Sequence, residues 1–247
     1  PRLPAALLLG LSLTLVPVSA QTPAQLKQEL DALRQRVDAQ QKEIEALKAS
    51  RPAAPAPVNL GSIVLKLDKA PMKGSAASRV VLVEISDFEC PFCSRHVRQT
   101  SPQIDKDYVE AGKIRHAFVN LPLASHRNAF KAAEAGLCAA DQGKFWEMHA
   151  RMFANQTRLA APLLPALATS AGVNADQLRA CVESGKKREQ VSSDLAMAQR
   201  AGATATPTFF VGILDPKTGA FKATERIVGA KQYVVFQQAL DAALAQQ

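Results

Sequence analysis

The chain reads as an α/β protein in which a βαβ unit is followed by a long helical block and then by a closing ββα unit. Three observations carry that reading. The apolar run Val80-Val81-Leu82-Val83-Glu84-Ile85 has the character of a buried strand. Residues 125–200 are dominated by Ala, Leu, Lys and Gln, punctuated by Gly136, Gly143, Gly172 and Gly185, and read as almost wholly helical. Thr208 to Ile213 and Phe221 to Val228 flank Asp215-Pro216-Lys217-Thr218-Gly219, a hairpin turn by composition.

The remaining elements fall into place around these. Ile63 to Leu67 is a short strand candidate ahead of the buried one. After Val80 to Ile85 a helix starts at Cys90-Pro91-Phe92-Cys93 and runs to about Glu110, with Pro102 kinking or dividing it. Gly112 ends that helix and Ile114 to Asn120 forms the next strand, so strand, helix and strand make a parallel crossover. In the helical block, Phe145, Trp146, Met148, His149, Met152 and Phe153 look like a packed helix face, and His149 is assigned to packing. Gln232 to Gln246 is a closing helix. That order describes a thioredoxin fold with a helical insertion at about 125–200, within a domain spanning 59–247.

Two segments precede the domain. Arg2 stands before the apolar stretch Leu3 to Val18, and Val18-Ser19-Ala20 supplies small residues at the usual cleavage positions. Residues 1–20 are therefore expected to be a signal peptide, placing the protein in the periplasm or outside the cell. It would be membrane-anchored only if the signal stays uncleaved. No Cys follows the apolar stretch, so a lipid anchor is not indicated. Export puts the four cysteines in an oxidising space where disulfides persist.

Residues 24–49 carry Leu26, Leu30, Leu33, Val37, Gln40, Ile44 and Leu47 at alternating spacings of four and three, the a/d pattern of a coiled coil. Charged side chains decorate the other faces, and such a stripe is not satisfied alone in water. Self-association through this helix is expected; the alternative is a helix folded back on the main domain. Gln40 at a d position would cost stability while fixing register. Residues 50–58 (Ser-Arg-Pro-Ala-Ala-Pro-Ala-Pro-Val) form an extended, semi-rigid Pro/Ala linker.

Composition is that of a folded chain, 47% hydrophobic and 21% charged, with no internal apolar run long enough to span a bilayer. The net charge of +8 is diffuse; its densest cluster, Lys186-Lys187-Arg188, has no aromatic neighbours and reads as a solvated helix face, so no nucleic-acid partner is expected.

The chemistry lies in Cys90-Pro91-Phe92-Cys93. Two thiols on a first helical turn can close a small disulfide. The first faces the unpaired N–H groups and the positive end of the helix dipole, which favour a thiolate. Such a Cys has a depressed pKa and attacks other disulfides. A zinc site would need further ligands, and Cys138 and Cys181 lie far off and apart; His96 has no second pair to complete a tetrahedron. The chemistry therefore calls for no metal and no cofactor. Cys138 and Cys181, both in the helical block, are expected to form a structural bridge, the alternative being two free buried thiols.

Glu84-Ile85-Ser86-Asp87-Phe88-Glu89-Cys90-Pro91-Phe92-Cys93, the helical insertion and Gly202-Ala203-Thr204-Ala205-Thr206-Pro207-Thr208-Phe209-Phe210 together resemble the DsbA-like thioredoxin-fold family of secreted disulfide oxidoreductases, over about Leu60 to Leu244. The resemblance implies that Pro207 is cis and lies against the redox disulfide. It implies that Cys90 is the exposed nucleophile and Cys93 the buried resolving thiol. Glu84 matches the buried acid that assists proton transfer at the resolving thiol, the bland alternative being an outward-facing strand residue. Thr206 offers backbone groups to an extended substrate strand, and Pro91 stiffens the dipeptide that tunes the potential. Phe92 stands where oxidants of this family often carry His, which removes one source of thiolate stabilisation. The coil lies outside the family's core pattern and is similar to the oligomerising extensions of disulfide isomerases.

The expected function is a secreted thiol–disulfide oxidoreductase acting on cysteines of exported proteins, reset by a membrane redox partner. The coil, Phe92 and Thr206 lean toward isomerase or reductase, and the helical insertion leans toward oxidase. The competing class is a non-catalytic chaperone or adaptor whose coil gathers several copies to bind unfolded chains.

Overall fold

The computed structural model describes residues 22–49 and 59–246; the expected signal peptide and linker lie outside them. Residues 22–49 hold one helix, α1 (Pro23–Ala49), and are a unit of their own. Its 27 residues span about 40 Å at about 1.5 Å each. Leu26, Leu30, Leu33, Val37 and Ile44 all lie exposed along it.

From residue 59 the chain builds a five-stranded sheet in the order β1-β3-β2-β4-β5, from β1 (Met72–Gly74), β2 (Val80–Ser86), β3 (Arg115–Asn120), β4 (Thr208–Leu214) and β5 (Phe221–Val228). β2 and β3 are parallel, joined through α2 (Pro91–Gln99) and α3 (Ser101–Ile104); the other pairings are antiparallel. All seven residues of β2 are buried, which explains its unbroken apolar sequence: both faces are covered. Val80 and Leu82 pack with Ile104, Tyr108, Phe209 and Phe236, the last from α9 (Tyr233–Leu244). Val81, Val83 and Ile85 point the other way, against Ala198 of α8 (Arg188–Arg200) and Phe210.

Ile63 to Leu67 is not a strand. Its apolar residues alternate inward as a strand's would, Ile63, Leu65 and Leu67 buried between exposed Val64 and Lys66. The Lys66 N–H, however, is directed at the Met197 sulfur at 3.1 Å rather than at a neighbouring strand. The edge strand is β1 instead. The helix after Cys90 is divided as Pro102 suggested: α2 ends at Gln99, Thr100 at φ −116° and ψ −44° caps it, α3 follows, and Asp105–Val109 winds as a π-helical turn closed by Glu110 N–H to Asp105 C=O at 2.8 Å.

The insertion is α4 (Ala129–Ala140), α5 (Phe145–Ala154), α6 (Leu164–Ser170), α7 (Ala175–Ser184) and α8. Gly143, Gly172 and Gly185 have positive φ and mark helix ends. Gly136 does not punctuate: it sits inside α4, where a Cβ would stand 3.2 Å from the Phe145 ring and 3.4 Å from Phe88 and Met152. It lets α4 approach α5 and the segment before Cys90. Cys138 of α4 and Cys181 of α7 are disulfide-bonded, their Cα atoms 6.0 Å apart. In the C-terminal hairpin, the Asp215 carboxylate accepts from the N–H groups of Lys217 and Thr218, the Asx geometry that its turn composition indicated.

Candidate active site

The site is assembled at the end of β2. Its strand stops at Ser86, and Asp87 turns the chain: its carboxylate accepts from Glu89 N–H at 2.8 Å, and its carbonyl from Cys90 N–H at 3.0 Å. Cys90 is then the N-cap of α2, in extended geometry at φ −70°, ψ 121°, with Pro91 at the first helical position where no N–H is needed. Cys93, Ser94 and His96 form the buried face of that helix. Phe92 points outward, 54% exposed, with the Arg95 guanidinium 5.0 Å from its ring centre.

Across from Cys90 comes the segment before β4. The Thr206–Pro207 peptide bond is cis, and the Cys90 sulfur donates to the Thr206 carbonyl at 3.3 Å. Gln156, beyond α5, fastens the other side by donating to the carbonyls of Phe88 and Cys90 at 2.8 and 2.9 Å. Cys90 is consequently far less open than an exposed nucleophile: it is 4% exposed, against 0% for Cys93. The Thr206 carbonyl lies against its sulfur and Gln156 against its backbone carbonyl.

The two thiols are distinguished electrostatically more than by exposure. Hydrogen bonding from Cys93 pulls the Cys90 thiol down to about 6, helped by the Thr206 hydroxyl and the α2 backbone N–H groups against its partial burial. Burial pushes the Cys93 thiol well above its ordinary range, and the neighbouring Cys90 pushes the same way. Both thiols are free in this structure.

Glu84 faces inward and is fully buried. It lies two residues before Ser86 on β2 and hence on the same face, and the Ser86 hydroxyl stands beside Cys93. Glu84 has a partner that the sequence did not announce: His116 Nε2 of β3, 3.1 Å from Oε2. Burial alone would raise the Glu84 carboxyl; the His116 hydrogen bond, with the nearby imidazoles, outweighs it and holds the group well below the usual carboxylate range. His116 Nδ1 in turn lies 3.9 Å from Asp105, and Asp105 accepts from Lys73 Nζ at 2.7 Å. His96 and His149 are buried nearby, and burial lowers them to about 4 and about 3. His149 packs among Phe88, Phe118 and Phe153, the packing role read from the sequence.

On the open side, His126 Nδ1 and the Leu123 N–H both meet Asp87 at 2.8 Å, while Asn128 binds Glu89 through its backbone and side chain. These bonds tie the loop after β3 to the turn that positions Cys90. Asp87 holds the His126 imidazole above its ordinary value against the opposing effect of partial burial. Among the described residues no three His, Cys, Asp or Glu side chains are placed to hold a metal ion, and no helix is long and apolar enough to cross a membrane.

The structure thus brings Cys90, Pro91, Phe92, Cys93, Thr206 and Pro207 to one end of the sheet and sets Glu84 beneath them. The bridged Cys138 and Cys181 lie apart in the insertion. Sequence reasoning missed His116, Asp105, Lys73, Gln156 and Asp87. A signal existed for His116 alone: a His in the apolar strand Arg115-His116-Ala117-Phe118-Val119, in period with inward-facing Phe118.

A thioredoxin family model matches residues 66–218, more than half of the chain, and the chain belongs to that family. Its fold is DsbA-like. It is similar to the α-DsbA1 of Wolbachia pipientis, with a TM-score of 0.65 and 23% identity over 74% of this chain and 94% of that one. It is also similar to oxidised BdbD of Bacillus subtilis, with a TM-score of 0.63 and 23% identity over 72% and 95%. A Na(+)/H(+) antiporter, NhaA 3 of Salinispora tropica, is 33% identical over 145 residues, which are 58% of this chain and 22% of that protein. The chain thus spans about a fifth of that relative's length.

Proposed function

We propose that the protein is an exported thiol–disulfide oxidoreductase exchanging disulfides with cysteines of other exported proteins through Cys90 and Cys93. The observation that supports this most is the split between two thiols one helical turn apart. Cys90, at the start of α2 beside Thr206, is held down to about 6, while Cys93 behind it is held up. A nucleophile and a resolving group need opposed environments of this kind.

The steps balance without a cofactor. The Cys90 thiolate attacks a client disulfide, forming one S–S bond while the client's other sulfur leaves as a thiolate. Cys93 then loses its proton, attacks the Cys90 sulfur and releases the remaining client thiolate, so the client is reduced and the Cys90–Cys93 pair oxidised. Run in reverse, the same steps oxidise a client dithiol. Glu84 accepts or returns the Cys93 proton, Thr206 presents backbone groups to an extended client strand, and exposed Phe92 offers an apolar contact beside the sulfur. A membrane redox partner resets the pair.

The α1 stripe supports self-association of several copies. That arrangement favours isomerase or reductase use, since a second active site near the same client raises its effective concentration. The reduction potential of the Cys90–Cys93 pair against glutathione tests the reading. A potential well above that of glutathione argues for an oxidant, and a lower one for a reductase or isomerase. A Cys90→Ser variant that still reduces insulin overturns the proposal.

A further inference from the structure

Cys93 is fully buried, so each closure of the pair requires a proton to leave a place that solvent does not touch. On the face of the sheet that carries Glu84, a line of polar side chains crosses three strands. Lys73 of β1 is directly opposite His116 of β3 in their antiparallel register. Glu84 of β2 pairs with Phe118, two residues beyond His116 in the parallel register, so Glu84 and His116 are diagonal neighbours. Val80, Leu82 and Phe118 on that face are apolar, while Ser86 and Asn120, paired at the end toward the cysteines, are polar. A polar diagonal through such a layer is costly unless its members satisfy one another.

They do so at its two ends. Glu84 Oε2 meets His116 Nε2 at 3.1 Å and Asp105 Oδ2 takes a hydrogen bond from Lys73 at 2.7 Å, whereas His116 Nδ1 and Asp105 Oδ1 face each other across 3.9 Å, both buried and without a hydrogen-bond partner. Side-chain exposure rises along the same line, from 0% at Glu84 and 1% at His116 to 25% at Asp105 and 26% at Lys73. The imidazole has a carboxylate at each nitrogen, the surroundings of a ring that takes a proton at one nitrogen and gives one up at the other. Asp105 is brought there by the π-helical turn that it opens.

We propose that His116 relays the Cys93 proton between Glu84 and Asp105, so that the buried resolving thiol exchanges protons with solvent at the Asp105–Lys73 edge of the sheet. This rests on the reading of Glu84 as the group that serves Cys93. When Cys93 attacks the Cys90 sulfur, its proton passes to the Glu84 carboxylate. In the tautomer that carries its proton at Nδ1, His116 takes the proton from Glu84 at Nε2 and releases the Nδ1 proton to Asp105, which gives it to water; the Nε2–H tautomer left behind, which donates to the Glu84 carboxylate, is reset when a proton returns along the same line to Cys93. The sulfur exchange itself needs no further electrons. The other groups facing His116 are Lys73 from β1, Trp146 and His149 from α5 and His96 from α2. Trp146 covers the ring with centroids 5.0 Å apart, Lys73 Nζ lies 4.5 Å over the indole, and burial keeps the two histidines neutral near neutral pH.

The test separates the two sulfur steps in the full chain. Reduced protein is mixed with oxidised glutathione, quenched in acid at intervals, and the Cys90–glutathione adduct is followed by mass spectrometry as it forms and decays. His116→Gln keeps a hydrogen-bond donor for Glu84 but carries no proton. It is expected to slow adduct decay about tenfold or more near neutral pH, while adduct formation stays within about twofold. Its decay rate should climb about tenfold per pH unit as hydroxide takes over, a steeper profile than wild type. Asp105→Asn, at a partly exposed position, should slow decay about threefold and serves if His116→Gln does not fold. Slow decay in Glu84→Gln with wild-type decay in His116→Gln and Asp105→Asn overturns the relay and leaves Glu84 in place. Wild-type decay in Glu84→Gln overturns the Glu84 reading and the relay with it.

Discussion

The Cys90 sulfur lies 3.3 Å from the carbonyl oxygen of Thr206, 116 residues further along the chain. The contact joins the N-terminus of α2 to the segment entering β4. A hydroxyl and a carbonyl from Thr206, the Cys93 thiol and the α2 N–H groups then surround one sulfur.

Alkylation should report that environment directly. In reduced protein, iodoacetamide should modify Cys90 first, with a rate that rises through a midpoint near pH 6, while Cys93 stays protected. The linkage to stability has a definite sign. The folded Cys90 pKa lies below its unfolded value, so its contribution to the reduced protein is fully present above the ordinary thiol range near 9 and is lost as pH falls through about 6. Thermal melts of the reduced chain against Cys90→Ala between those limits should show the difference shrinking toward the acid end.

The bridge between Cys138 and Cys181 closes a separation of 43 residues, for which loop entropy gives about 4 kcal/mol of stabilisation. The double Ala variant should therefore melt roughly 8–16 °C lower, since about 1 kcal/mol moves a domain of this size by roughly 2–4 °C. Insulin reduction below the melting range should be unchanged, because neither sulfur belongs to the reacting pair.

Gly212 offers a purely structural test of the sheet. A Cβ there would stand 2.9 Å from the Ala223 Cα and would meet the Lys222 carbonyl even more closely, at the irregularity between Val211 and Gly212. Gly212→Ala should destabilise by at least about 2 kcal/mol, as backbone clashes in a packed sheet do. Denaturant midpoints check it.

Most of the fold was legible because its signals are local. The unbroken apolar run of β2, the turn chemistry at Asp215 and the Pro inside the helix after Cys90 each act within a few residues. Ile63 to Leu67 misled because burial and strand pairing give the same alternation, and only the sheet decides which edge is filled. Gly136 misled because a helix-breaking residue was selected by a close approach to Phe145 that no local pattern records. Within the site, Cys90 and Cys93 were legible from spacing and Pro207 from its resemblance. The Glu84 partners were not: His116, Asp105 and Lys73 come from β3, the π-helical turn and β1, and meet only through sheet register.

The exposed α1 row predicts assembly. The full chain should be oligomeric by light scattering, and Leu30→Glu with Leu33→Glu should convert it to monomer, since charges at seam positions abolish the burial that drives a coil. The monomer should still reduce insulin but lose activity on scrambled substrates. A wild-type chain that is monomeric at micromolar concentration contradicts the seam.

The central claim, that Cys90 attacks and Cys93 resolves, is tested most directly by trapping. Cys93→Ala, incubated with a disulfide-bonded client and digested without reduction, should yield a mixed disulfide that maps by mass spectrometry to Cys90, whereas Cys90→Ala should yield none. An adduct at Cys93 in the Cys90→Ala protein, formed as fast as the Cys90 adduct, would contradict the account.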